Sequence, residues 1–138
     1  MKDKKKEIKL QATDENLDLV LDTLEEFLGP DCDMMVKNEI LISMEELFVN
    51  IAHYAYGEEV GEAILIMEML EEGKRIRMVL KDQGIPFNPL EKEDPDIELS
   101  AEERKIGGLG IFMVKDYMDY LEYRYENSYN VMIIEKNL

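Results

Sequence analysis

Ala63-Ile64-Leu65-Ile66-Met67-Glu68-Met69-Leu70-Glu71-Glu72-Gly73-Lys74-Arg75-Ile76-Arg77-Met78-Val79-Leu80 is the stretch that decides the fold class. Residues 63–67 and 75–80 are rich in β-branched and long apolar side chains, and the second run alternates so that Ile76, Met78 and Leu80 share one face. Between them Glu71-Glu72-Gly73-Lys74 supplies a turn with a glycine, which predicts a hairpin. Toward the N-terminus the apolar period changes to that of a helix. Ile40, Met44, Leu47, Ile51 and Ala55 recur at three and four residues from a start after Asp31 or Asp33 to a stop at Tyr56-Gly57. Leu17, Val20, Leu21, Leu24 and Leu28 predict an earlier helix that ends at Gly29-Pro30, with Thr13, Asp14 or Asn16 as its cap. Before it, Glu7-Ile8-Lys9-Leu10-Gln11-Ala12 alternates as a half-buried strand does.

Beyond the hairpin, residues 82–110 hold three of the four prolines and four of the eight glycines, so they read as loop, with a helical turn near Ser100-Ala101-Glu102-Glu103. A loop this long in a compact domain serves as a lid or binding segment. Leu109, Phe112, Met113, Tyr117 and Tyr120 restore helical spacing, and residues 121–125 and 129–135 form a closing hairpin around Glu126-Asn127-Ser128. The five tyrosines from Tyr117 to Tyr129 are assigned to sheet packing. Strands joined by hairpins, with helices between them, predict an α+β fold: a two-layer sandwich, one mixed sheet covered on one face by helices, as a single domain over residues 1–138.

Composition narrows the function. The 138 residues suffice for one core that buries about two thirds of the unfolded surface. A net charge of −16 argues against nucleic acid, since phosphate binding needs concentrated Lys and Arg. It suits a neutral or basic protein partner, or simply a solvated acidic surface. No apolar run approaches the roughly 20 residues of a membrane span. The basic Met1-Lys2-Asp3-Lys4-Lys5-Lys6 lacks the apolar stretch of a signal peptide, so the expected location is the cytoplasm. The lone Cys32 offers no disulfide and no cysteine metal cluster, and is expected to be a small packed residue.

Three segments carry possible chemistry. Glu46 and Asn50 lie four residues apart on a helix and so project from one side. Asn50 can lend a carbonyl oxygen to magnesium, and Glu46 a carboxylate that orients or deprotonates a hydroxyl. The pair also suits two ordinary solvated residues. His53, three residues on, leans the same way as Asn50 and is a phosphate contact or a packed structural residue. In Asp82-Gln83-Gly84-Ile85-Pro86-Phe87 an apolar strand runs into a carboxylate and a glycine turn. Asp82 would accept from the exocyclic amino group of adenine, and Gly84 would let the base approach the backbone. A plain Asp-x-Gly turn stiffened by Pro86 is the bland alternative. Gly107-Gly108-Leu109-Gly110 leads into a helix, where free amides and the helix dipole attract phosphate. Arg104 and Lys105 add positive charge just before it.

In this order and spacing the three segments resemble the asparagine box and the two glycine boxes of the GHKL ATPase superfamily. The resemblance is nearest to its anti-sigma factor serine kinases of the RsbW and SpoIIAB type, and spans nearly the whole chain. It implies a Bergerat-type ATP site in which Asn50 holds Mg2+, Asp82 reads adenine, and Gly84, Gly108 and Gly110 admit base and phosphates, with Glu46 as general base. Pro86, Leu109, Gly107, Arg104, Lys105 and His53 would complete the nucleotide contacts. It implies ATP or ADP as ligand, a STAS-type antagonist as phosphate acceptor, a sigma factor as second partner, and a homodimer. With only about forty residues before the asparagine box, the dimerisation helix and phosphoacceptor histidine of histidine kinases are not expected in this sequence. The chain departs from the family at His53-Tyr54, where relatives are often basic, and in the short acidic segment before Ile106. Two alternatives stay open: a regulatory binding module in which ATP shapes a surface without turnover, and a scaffold that binds no nucleotide.

Overall fold

A computed structural model describes residues 4–91 and 108–138, with Gly108 and Leu109 described by their backbone. Strand β1 (Lys5–Gln11) leads through a 3-10 turn at Asp14–Asn16 into helices α1 (Leu17–Leu28) and α2 (Met34–Asn50). A π-helical turn, Ile51–Ala55, prolongs α2. The hairpin β2 (Glu62–Leu70) and β3 (Arg75–Asp82) follows, then α3 (Gly108–Tyr117) and the hairpin β4 (Tyr120–Glu126) and β5 (Tyr129–Asn137).

Local chemistry accounts for the boundaries. Asp33 caps α2, its carboxylate accepting the Val36 amide at 3.1 Å, and Gly29 leaves α1 at a φ of 81° that a Cβ would oppose. α1 has no side-chain cap; Asn16 instead donates to the Gln11 carbonyl at 2.8 Å. Asn127 and Ser128 turn the last hairpin with φ of 54° and 68°, the conformation whose twist matches the flanking strands.

The five strands run in the order β1-β2-β3-β5-β4. Every pairing among the described residues is antiparallel, so the sheet is not mixed as the sequence suggested. The reason lies in the β1–β2 connection. One crossover helix returns a chain parallel, whereas two successive helices, α1 and α2, return it antiparallel. Tyr120, read as the end of a helix, opens β4 instead, because α3 stops at Tyr117.

One face of the sheet and the inward sides of the helices form a single core. Ala63, Leu65, Met67 and Met69 of β2, Ile76, Met78 and Leu80 of β3, and Met132 and Ile134 of β5 meet Val20, Leu24, Phe27, Ile40, Met44, Leu47, Phe48, Ile111 and Val114. Each large side chain buried completely is worth roughly 1.5–3 kcal/mol of transfer free energy. α2 packs against both α1 and α3, which places it at the centre of the helical layer. On the opposite face Glu135 is buried and takes hydrogen bonds from the guanidinium groups of Arg75 at 2.6 Å and Arg77 at 2.7 Å. Burial pushes its carboxyl up, and the two arginines more than reverse this, so it lies below its ordinary range. Cys32 is half-buried, and burial pushes its thiol up, in keeping with a packing role. No helix among the described residues is long and apolar enough to cross a membrane.

Candidate functional site

A cavity of about 430 Å³ opens between the C-terminal end of α2 with its π turn, the ends of β3 and β5, and the chain that leaves β3. Such a volume suits a small-molecule ligand. Its walls are mostly apolar, from Leu47, Ile51, Leu80 and Met132 inside to Ile85 and Phe87 at the exposed edge. Its polar groups are few: Asn50, Asp82, Asn130 and the tyrosines Tyr54 and Tyr123.

Asp82 is the last residue of β3 and only 5% exposed. It sits there because β3 alternates: Ile76, Met78, Leu80 and Asp82 all point to the core side, and the carboxylate takes the place of the next apolar residue. Its Oδ1 accepts the Gly84 amide at 2.9 Å and the Asn130 side-chain amide at 2.9 Å. Oδ2 has no donor among the described residues. Burial raises the Asp82 pKa, and the hydrogen bonds from Asn130 and Gly84 oppose that rise. When ionised, such a carboxylate in an apolar cleft could accept from a ligand N–H.

Asn130 lies directly across the ladder from Asp82. Sequence reading missed it. The signal was its parity, since Asn130, Met132 and Ile134 share the core-facing side of β5 and a lone Asn there needs partners. Tyr123, assigned to sheet packing from the sequence, lines the cavity and donates its hydroxyl to Asn130 Oδ1. Burial pushes that phenol up and keeps it a neutral donor.

On α2, Asn50 lines the cavity and Glu46 stands one turn before it. Asn50 Nδ2 lies 3.4 Å from Glu46 Oε1, so the expected pairing on one side of the helix is present. Glu46 is held against the first turn of α3: a Cβ added to Gly110 would fall 2.0 Å from the Glu46 carboxyl carbon. The sequence placed Gly108, Leu109 and Gly110 in a loop before the helix, but α3 already begins at Gly108, so they form its first turn. The N-terminal end of α3 therefore meets Glu46. Arg104, Lys105 and Gly107 lie outside the described residues.

His53 is not brought to the cavity. Its Nε2 sits 2.8 and 2.9 Å from the two carboxylate oxygens of Asp14, at the entrance to α1. The π turn explains this departure, because its wider winding rotates the residues after Asn50 away from the positions an α-helix would give them. The same turn delivers Tyr54 and Ala55 to the cavity wall. Pro86 lines the cavity.

Gly84 is required by close approach. A Cβ there would lie 2.3 Å from the Ala55 carbonyl oxygen, and that oxygen is fixed by accepting the Ile85 amide at 2.8 Å. Gly84→Ala is therefore expected to lower stability by roughly 1–3 kcal/mol through overpacking. Thermal unfolding checks this, and an unchanged midpoint would show that the π turn yields.

Residues 10–136 match the family model described as the histidine kinase-like ATPase domain. A serine-protein kinase RsbW of Bacillus mycoides is 28% identical over 99 residues, which cover 69% of this chain and 61% of the relative. RsbW proteins of Bacillus cereus and Bacillus thuringiensis are 27% identical over the same length and shares. The matched region thus spans 61% of these curated relatives' length.

Proposed function

Because the chain belongs to the histidine kinase-like ATPase domain family, we propose that it is an ATP-dependent protein-serine kinase of the cytoplasm. It phosphorylates a STAS-type antagonist and, as an anti-sigma factor, binds a sigma factor. The observation that carries the nucleotide part is Asp82: a buried carboxylate in an apolar cavity, with Oδ1 saturated and Oδ2 left to a ligand. The exocyclic amino group of adenine is the donor that satisfies it, and the cavity's apolar walls suit the two faces of a purine.

Magnesium fits the donor set in one way. Among the described residues no cluster of three or more His, Cys, Asp or Glu side chains could hold a metal ion. The ion would be held through nucleotide phosphates, with the Asn50 carbonyl oxygen as the protein's own contribution. When bound, it supplies charge neutralisation at the phosphates. The chain's own residues do the rest: Asp82 and the cavity walls fix the base, the start of α3 offers backbone amides to anionic oxygens, and Glu46 orients the acceptor hydroxyl.

The printed name of the relatives, serine-protein kinase, supports phosphotransfer as the reaction. The partner assignment rests on the resemblance to anti-sigma factor kinases. Incubation with γ-labelled ATP, magnesium and a STAS-domain protein encoded beside this one tests both. Label on a serine of the STAS protein is the expected result. Nucleotide binding without transfer would replace the kinase by a regulatory binding module, and absence of Mg-ADP binding in calorimetry would overturn the nucleotide site itself.

A further inference from the structure

α2 is apolar on both sides. Its inward positions Ile40, Met44, Leu47 and Phe48 belong to the core. Its outward side carries Met34 and Met35, 71% and 73% exposed, and Ile42, 37% exposed, with Val49 partly exposed beyond them. The two methionines are the most exposed large apolar side chains among the described residues. Met35, Ile42 and Val49 recur every seven residues, with exposed Asn38 and Glu45 between them, so they form one stripe along the helix. At 1.5 Å per residue the stripe runs about 21 Å. A surface helix with one buried face has a polar reverse side, and a helix apolar on both is built to be covered twice.

The charge beside this stripe is concentrated rather than spread. Residues 14–50 hold eleven carboxylates against one cation, Lys37, whereas the remaining residues hold 21 carboxylates and 15 cations. Lys37 is taken by Glu25 at 3.3 Å. On α1, which packs against α2, Asp18, Asp22 and Glu26 are exposed and stand four residues apart, like charges in successive turns of one side. Among the described residues none of these three has a cation within ion-pair distance. Glu25 and Glu26 also sit in the last turn of α1, where the helix dipole favours cations, and no basic residue of the helix is there. α1 thus gives up helix stability for an acidic ridge, and solubility alone requires neither the clustering nor the unfavourable helix end.

We infer that the outer side of α1 and α2 is a docking surface for a basic amphipathic helix of a partner protein. The apolar stripe of that helix lies along Met35, Ile42 and Val49, and its Lys and Arg side chains face the α1 ridge and Glu45. Helices that dock in this way meet apolar anchors at three-, four- and seven-residue spacing, the spacing present here. Unbranched methionines adapt to partner side chains of different shape. An acidic partner would meet repulsion along the whole ridge. A second copy of this chain would bring its own acidic ridge to the same place, so it is not the occupant. The surface lies on the helix that carries Glu46 and Asn50, but the inference does not depend on what the cavity binds.

The test is fluorescence anisotropy of the full chain with a labelled synthetic helix of about 15 residues, the length of the stripe. The peptide is made of Leu and Lys with the leucines on one face, and a scrambled peptide of the same composition serves as its control. Wild type should bind the amphipathic peptide at least about 10-fold more tightly than the scrambled one, as burial of one or two apolar anchors gives. Ile42→Glu adds negative charge, so attraction by charge alone predicts unchanged or tighter binding, whereas docking on the stripe predicts binding weaker by at least about 10-fold. Asp22→Lys should also weaken binding, and Val60→Glu, at an exposed apolar position outside the stripe, should not. Should Ile42→Glu lose its thermal transition, Met35→Glu decides. Equal binding of the two peptides, or stripe variants that bind as well as wild type, would overturn the proposal. A dimer in sedimentation that Ile42→Glu dissociates, with peptide binding unchanged, would give the surface to a second copy and overturn it equally.

Discussion

Asp82→Asn is expected to weaken Mg-ADP binding by roughly 100-fold, about 3 kcal/mol, while the protein melts no lower than wild type. The two donors that hold Oδ1, the Gly84 amide and Asn130 Nδ2, would still require an oxygen, so the substituted amide must turn its NH2 toward the cavity. A donor then faces the adenine amino group, and a charge-assisted hydrogen bond becomes a donor–donor contact. Inosine diphosphate should lose far less, because its 6-oxo group accepts from that NH2. The expectation for stability follows from the Asp82 pKa, raised by burial against the hydrogen bonds from Asn130 and Gly84. For an acid whose folded pKa lies above its unfolded value, the folded state holds the proton more readily. Ionisation at neutral pH thus costs stability, which the neutral amide avoids. The same shift fixes the pH dependence of binding. The acceptor exists only while Asp82 is ionised, so ADP affinity should fall on acidification, beginning above the ordinary value of 3.8. Calorimetry across pH 4–7 at constant ionic strength checks this, and a variant that binds ADP as wild type does would remove Asp82 from the site.

What could be read from the sequence follows the range of the interactions. Glu46 and Asn50 were legible because a helix repeats over four residues, and their 3.4 Å approach needs no tertiary contact to foresee. Asp82 was legible because it ends an alternating strand. Asn130 was not: its meaning depends on pairing with a residue 48 positions away, and that register is set jointly by the β3–β5 ladder and the Asn127-Ser128 turn. Tyr123 follows Asn130, since a tyrosine on a strand is sheet packing until an acceptor is placed beside its hydroxyl. For His53 the sequence left a phosphate contact and a structural role open, and the choice turns on a local event, the π turn, to which apolar periodicity is insensitive because Ile51 and Ala55 satisfy either winding. The sheet's direction failed for a topological reason. Hydrophobic pattern reports which face of a strand is buried, and is silent on which way its neighbour runs.

Glu46→Gln is the second large effect expected, and it separates binding from chemistry. The substitution preserves length, shape and the acceptor oxygen that Asn50 approaches, so Asn50 and the wall of the cavity stay in place and Mg-ADP should bind within about 2-fold of wild type. What it removes is a negative charge at the first turn of α3, and with it the group proposed to orient and deprotonate the acceptor serine. General-base contributions are typically 100- to 10,000-fold, so single-turnover transfer to the STAS protein should fall by roughly that range. The position of Glu46 bears on the result. Its carboxyl carbon occupies the space a Cβ on Gly110 would need, so Glu46 and the start of α3, where the phosphates are proposed to lie, are in contact. A carboxylate so near the helix end proposed to hold phosphates would also repel the nucleotide's own charge, so removing it should tighten binding slightly, if it changes binding at all. A fall in transfer with constant or tighter binding is thus the signature of a base. A parallel fall in both would make Glu46 a structural support of the cavity, and transfer at the wild-type rate would assign the base elsewhere.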